Sequence, residues 1–259
     1  MKKLILSFLL LIATILSQAQ LEVGVFAGGS FYMGDINPNI PFLQTSVAYG
    51  VLGRYPIDSR WAVKVNLYKG ILNGDDKIAK YNEERSLEFT SGIWELGGVG
   101  EFNFMPYFTG SLKNYFTPYI FGGAAMLYHR PQIGNLDLKD YRTENTDYSY
   151  YAFTIPFGIG VKYSFSKRIA TTIEWGMRKT FTDYIDDVST TYYIDANAPN
   201  LSPEELESLR FSDPNRNHEP GMQRGNSKTN DWYSFAGITL TYSINLKNRN
   251  KCSDFEDRN

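Results

Sequence analysis

Eight stretches of this chain alternate apolar and polar residues with a period of two, and no other feature constrains its fold as strongly. A β-strand sends successive side chains to opposite faces, so a half-buried strand must read this way. In the first stretch Leu21, Val23, Val25, Ala27 and Phe31 oppose Glu22, Gly24, Gly28 and Ser30; in the second Val47, Tyr49, Val51 and Tyr55 oppose Ser46, Ala48, Gly50 and Arg54. The third sets Trp61, Val63, Val65 and Leu67 against Ala62, Lys64 and Asn66, and the fourth Trp94, Leu96, Phe102 and Phe104 against Glu95, Gly97, Glu101 and Asn103. The sixth is the most regular, with Phe153, Ile155, Phe157, Ile159, Val161 and Tyr163 opposite Thr154, Pro156, Gly158, Gly160 and Lys162. Ile169, Ile173, Trp175 and Met177 then oppose Thr172, Glu174, Gly176 and Arg178, and finally Trp232, Ala236, Ile238, Leu240 and Tyr242 oppose Thr239, Thr241 and Ser243. The fifth stretch, Tyr119 to Tyr128, is apolar on both faces, and its pattern leaves its orientation open.

The connections choose the architecture. Shorter ones, about 56–60, 105–116 and 164–168, alternate strictly with longer ones, about 33–43, 73–85, 129–151 and 180–231. An even strand count with this alternation predicts an all-β fold, an eight-stranded antiparallel transmembrane β-barrel with short periplasmic turns and four longer extracellular loops. Rings near the strand ends form two girdles: Tyr55, Trp61, Phe102, Phe104, Tyr119, Tyr163 and Tyr242 at one end, and Phe31, Tyr68, Tyr128, Phe153, Trp232 and Tyr233 at the other. A soluble β-sandwich also needs core aromatics, but it explains neither the girdles nor the parity. In the fourth loop, Ser202 as N-cap, Pro203 at the first helical position and Glu205 three residues on predict a short helix from about Pro203 to Arg210.

The first residues agree with export. Met1-Lys2-Lys3 is a basic start, Leu4 to Ile15 is apolar, and Ser17-Gln18-Ala19 offers a small-x-small cleavage pattern. The apolar run is too short for a spanning helix, which needs about 20 residues. The expected organisation is a signal peptide over 1–19, an outer-membrane barrel over 20–246 and a periplasmic tail over 247–259. Lys and Arg total 26 against 28 Asp and Glu, a net charge of -2 that becomes -4 once Lys2 and Lys3 leave with the leader. That balance argues against nucleic acid as a partner.

On the faces read as inward stand Glu22, Glu95, Glu101 and Glu174 with Arg54, Lys64, Lys162 and Arg178. An eight-stranded barrel encloses a lumen that side chains fill, so these charges are expected to pair across it as a structural network rather than line a pore. No enzyme is expected, and no cofactor, metal or small-molecule substrate. One cysteine, Cys252, and two histidines, His129 and His218, leave little for zinc or a catalytic triad. Gly158-Ile159-Gly160 lies in mid-strand, where no helix follows to receive a nucleotide. Asp183, Asp186 and Asp187 read as a solvated acidic loop, since their spacing does not match a calcium loop.

Four runs carry a family resemblance: EWGMRKTFTDYIDDVS at Glu174–Ser189, YMGD at Tyr32–Asp35, FTPYIFGG at Phe116–Gly123 and IPFGIGVKY at Ile155–Tyr163. They resemble the PorG-type outer-membrane barrels of the type IX secretion system, and the resemblance runs over essentially the whole chain after the leader. It implies a non-enzymatic component in the lipid bilayer of the outer membrane that anchors or docks a periplasmic ring of a PorK-type lipoprotein and a PorN-type subunit. It also implies contact through the periplasmic turns and the tail, where Arg249, Lys251 and Cys252 are the candidate interface residues. Family members resemble this chain in a basic tail with a cysteine past the last strand, often followed by Pro; here Ser253 follows. A lone cysteine in an oxidising compartment is a free thiol or half of an intermolecular disulfide. The competing expectation is a surface barrel that binds an extracellular ligand or neighbouring protein through its outer loops.

Overall fold

A computed structural model describes residues 21–244; the leader expected over 1–19, and Arg249, Lys251 and Cys252 of the expected tail, lie outside the described residues. The eight alternating stretches form β1 (Glu22–Met33), β2 (Ser46–Pro56), β3 (Trp61–Asp75), β4 (Glu88–Asn103), β5 (Phe116–Tyr128), β8 (Tyr151–Ser164), β9 (Ile169–Thr180) and β10 (Trp232–Ser243). Loop 3 adds a small hairpin, β6 (Pro131–Ile133) and β7 (Leu136–Asp137), followed by a 3-10 turn at Leu138–Tyr141. Every pairing is antiparallel. The order β3-β2-β1-β10-β9-β8-β5-β4 closes through the β3–β4 ladder, so the sheet is an eight-stranded barrel.

Closure depends on close approach at the seam where the first and last strands meet. Gly28 stands opposite Gly237, and a Cβ on Gly28 would lie 2.2 Å from the carbonyl oxygen of Ala236. Any larger residue there would push the two strands apart.

The outer surface is an apolar band of exposed side chains such as Val25, Val51, Val65, Leu96, Ile159 and Leu240, while Phe26, Leu52, Lys64, Asn66, Glu95 and Thr241 on the opposite face are buried in the lumen. Water penalises such a band and lipid does not, and closure leaves no unpaired strand edge in the hydrocarbon. No helix among the described residues is long and apolar enough to cross a membrane. Crossing takes about 9–11 residues per strand. At 15 and 16 residues, β3 and β4 exceed that, and their loop-side ends stand clear with β6 added to the edge of β4.

Three turns, 57–60, 104–115 and 165–168, connect strands at one end; loops 1 to 4, at 34–45, 76–87, 129–150 and 181–231, cover the other. Loop 2 opens with a short helix α1 (Asp76–Ala79), and loop 4 carries α2 (Pro203–Ser212). The capping box forms as its sequence predicts: Ser202 Oγ accepts from the Glu205 N–H at 3.2 Å, and the Glu205 carboxylate accepts from the Ser202 N–H at 2.8 Å. Ser202→Ala is expected to destabilise α2 by about 1 kcal/mol. Faster amide exchange confined to α2, with an unchanged barrel unfolding midpoint, would register it.

The girdles differ from expectation at four rings. Tyr68, Tyr119 and Tyr233 point into the lumen, because they share the register of the inward residues and each hydroxyl meets a carboxylate there: Glu174 at 3.3 Å, Glu174 at 2.8 Å and Glu95 at 2.7 Å respectively. Phe31 keeps its outward position but is covered by Phe42 of loop 1, the ring centres 4.4 Å apart. The fifth strand, whose pattern left its face open, turns Tyr119, Phe121, Ala125 and Leu127 inward.

Candidate functional site

Two polar assemblies occupy the axis of the barrel. The first fills the lumen. Glu22 and Arg54 are direct register partners on β1 and β2, 3.2 Å apart, and Arg54 also reaches Glu101 at 2.8 Å. Glu101 is the hub: Lys162 lies 2.6 Å from it and Lys64 3.6 Å. Lys64 continues to Glu174 at 2.7 Å, and nearer the loops Arg178 pairs with Glu95 at 3.0 Å. All eight residues are buried, and the structure brings them into one lumen in two groups, six around Glu101 and the Glu95–Arg178 pair. Rings shield the cations: Lys162 sits over Tyr119 at 4.4 Å, Lys64 over Phe121 at 4.9 Å, and Arg178 over Phe235 at 4.7 Å. Such desolvated pairs hold only while every partner is present.

Both mouths are covered. At the short-turn end, Thr109 reaches in from the second turn to donate to Glu22 at 2.5 Å. That turn is tied to its neighbours: Tyr107 N–H donates to Ser59 O at 3.0 Å and Gly110 N–H to Ser164 Oγ at 2.9 Å. Gly110 has φ +88°, and a Cβ there would meet the Lys167 carbonyl oxygen at 2.5 Å, so only glycine fits this crossing.

At the loop end an aromatic layer, Phe26 stacked on Tyr68 at 4.6 Å with Phe235 edge-on to Tyr68 at 5.6 Å, separates the lumen from a cap. The cap contains the residues read as a solvated acidic loop, and that expectation is corrected: Asp183, Asp186 and Asp187 are buried. They are buried because the loops fold inward over the mouth, where Asp186 and Asp187 find donors. Val188 N–H donates to Asp186 at 2.9 Å, and Tyr148 Oη donates to Asp187 at 2.7 Å. Two guanidiniums bind the loops together. Arg85 of loop 2 holds Asp76 at 2.6 Å and donates to the carbonyl oxygens of Asp35 at 2.9 Å and Arg224 at 2.6 Å, joining loops 1, 2 and 4. Arg224 of loop 4 pairs with Glu144 of loop 3 at 2.8 Å. Burial, opposed by Arg224, moves Asp187 up to about 6, and burial moves Asp183 up to about 7.

The histidines lie apart. His129 is fully buried, and burial holds it down at about 4, so it is neutral at neutral pH. His218 stacks on Tyr192 at 4.2 Å and meets Asp213 at 2.9 Å. Sequence reasoning missed Tyr32, Arg85, Glu144, Arg224 and Asp231, since they fall in aperiodic loops or at a strand end; Tyr32 and the Asp183–Asp187 run did stand inside the resemblance runs.

A family model described as a domain of unknown function, DUF6089, matches residues 2–194. Among solved structures, the chain is similar to the N-terminal β-barrel domain of Pseudomonas aeruginosa OprF, at 11% identity over 88% of this chain and 100% of that one, with a TM-score of 0.40. It is similar to Neisserial surface protein A at 10% identity, 86% and 97% coverage and a TM-score of 0.45. The attachment invasion locus protein of Yersinia pestis, solved with a heparin analogue, gives 8%, 87%, 97% and 0.42. No protein of curated function matches the sequence.

Proposed function

The chain belongs to the family described as a domain of unknown function, DUF6089, and from that premise we propose that it is a non-enzymatic outer-membrane barrel that docks a periplasmic ring of the type IX secretion machinery. The observation that carries the reading is the run Glu174–Ser189. It is the longest run resembling PorG-type barrels, and it supplies Glu174 and Arg178 to the lumen network and Asp183, Asp186 and Asp187 to the cap. A resemblance concentrated on residues that build the interior is stronger support than one spread over lipid-facing positions, where any apolar residue serves. An apolar band on a closed antiparallel barrel, with short turns at one end and long loops at the other, supports the outer membrane as its place.

Docking is read at the short-turn end. The three turns each present a large apolar side chain: Ile57 is 61% exposed, Leu112 82% and Phe165 64%. Lys113, Lys167 and Arg168 stand beside them. Ile244 N–H donates to Leu21 O at 2.8 Å, so the described chain leaves β10 at that same end; Arg249, Lys251 and Cys252 lie outside the described residues, and the resemblance alone supports them as the interface. A PorK-type lipoprotein and a PorN-type subunit are the proposed partners, with Cys252 a thiol for docking or cross-linking.

The test is affinity capture of the protein from detergent-solubilised outer membrane, with and without reductant, read by mass spectrometry. A periplasmic ring lipoprotein is expected in the eluate, with a reductant-sensitive adduct that Cys252→Ser abolishes. Recovery of the barrel alone would overturn the docking reading. It would favour a surface barrel that binds through its loops, for which there is also an observation: a crevice of about 410 Å³ at the outer rim, with Met33, Asp35, Tyr81, Asn226 and Trp232 in its wall.

A further inference from the structure

The cap holds more acid than its two arginines neutralise. Arg85 is committed to Asp76, and Arg224 to Glu144 and Asp187. Asp183, Asp186 and Asp231 form no ion pair among the described residues, and neither carboxylate oxygen of Asp183, 9% exposed, meets a donor at bonding distance.

The hydroxyl of Tyr32 makes the shortage specific. It donates to Asp186, and its oxygen also lies 3.2 Å from Asp231 Oδ1. A phenol has one hydrogen. With that hydrogen on Asp186, the contact to Asp231 brings two acceptor oxygens together unless Asp231 carries a proton and donates it. Asp231 is buried, and its other oxygen already accepts from the Ile185 N–H at 2.9 Å.

The structure assigns a proton, held among Asp231, Asp186 and Asp183, to the closed cap, and we infer that its loss releases the segment 183–188 from the mouth of the barrel. This segment is the part of loop 4 that the acids hold: Ile185 N–H is bound by Asp231, Val188 N–H by Asp186, and both apolar side chains are buried in the cluster that includes Tyr32 and Ile36. The other groups facing the site are Asp35 from loop 1, Asp76 and Arg85 from loop 2, Glu144 from loop 3, and Asp187 and Arg224 from loop 4. Carboxylates outnumber cations among them too.

Burial first, then the neighbouring carboxylates, raise Asp186 and Asp231 well above the ordinary carboxylate range, and burial raises Asp183 to about 7. The sign follows from linkage. The closed cap binds the proton more tightly than an open loop does, so closure is fully favoured below the ordinary carboxylate pKa of about 4. It then weakens about tenfold per pH unit for each proton held, up to the closed-state pKa.

Amide exchange of Ile185 and Val188, measured in lipid nanodiscs from pH 5 to pH 8 and expressed as protection relative to unstructured chain, tests this. Protection is expected to fall about tenfold per pH unit over at least two units, while amides of β9 hold theirs. Asp231→Asn, which can donate permanently to Tyr32, is expected to flatten that slope. Should this variant fail to insert, Asp183→Asn at the least-bonded carboxyl makes the same comparison. Constant wild-type protection from pH 5 to pH 8, or a wild-type slope retained in the Asn variants, would overturn the inference.

Discussion

Glu101→Ala is expected to destabilise the barrel by about 3–5 kcal/mol, the cost of breaking a buried ion pair on one side. The carboxylate lies among Lys162 at 2.6 Å, Arg54 at 2.8 Å and Lys64 at 3.6 Å. Without it, Arg54 retains Glu22 and Lys64 retains Glu174, but Lys162 is left with the neutral side chain of Asn103 at 2.9 Å. The measurement is the urea midpoint at which the folded barrel band is lost in heat-modifiability gels, taken from protein refolded in lipid. Lys162→Ala is expected to cost less, since Glu101 then keeps two cations. Glu101→Leu combined with Lys162→Met is expected to recover much of the loss by removing the stranded charge together with its partner. An unchanged midpoint for Glu101→Ala would mean that water enters the lumen and screens the remaining cations.

That hub shows how much of the interior was legible beforehand. Glu101 and its partners occupy positions of fixed parity on β1, β2, β3, β4, β8 and β9, and parity alone separates a lumen from lipid. Which acid meets which base was not legible. Lys64 and Glu174 are 110 residues apart and come within 2.7 Å only because the sheet closes.

Rings were harder to read than charges. A tyrosine suits a lipid interface, with its hydroxyl in water, and it suits a polar lumen equally well when a carboxylate accepts from it. Tyr68, two positions beyond Asn66 and four beyond Lys64, had the inward parity, and ring type hid it. The cap was harder still, because loops carry no period. Asp186 and Asp187 are adjacent acids in a polar stretch, a pattern that ordinarily means solvent exposure; donors from loops 3 and 4 and from Tyr32 at the end of β1 reverse that outcome. Only the capping box of α2 announced local structure in the fourth loop.

Arg85→Ala is expected to open that cap while leaving the barrel folded. The guanidinium makes four of its five possible donations: two to Asp76, at 2.9 and 2.6 Å, and one each to the carbonyl oxygens of Arg224 and Asp35. Its loss strands Asp76, a buried carboxylate whose one other side-chain partner among the described residues is the Leu87 N–H at 2.9 Å. The local cost is again about 3–5 kcal/mol, so the population of open cap should rise by about a hundredfold or more, at 1.4 kcal/mol per tenfold. Limited proteolysis reads it: cleavage within 181–231 is expected to accelerate by that factor, with heat-modifiability of the barrel unchanged. Arg85→Lys keeps the charge but has no planar fork to reach loops 1, 2 and 4 together, and its cleavage rate is expected to lie nearer to alanine than to wild type. If Arg85→Ala is as resistant as wild type, the cap is instead held by the apolar contacts of Ile36, Leu72, Ile185 and Val188, and the arginine is an accessory.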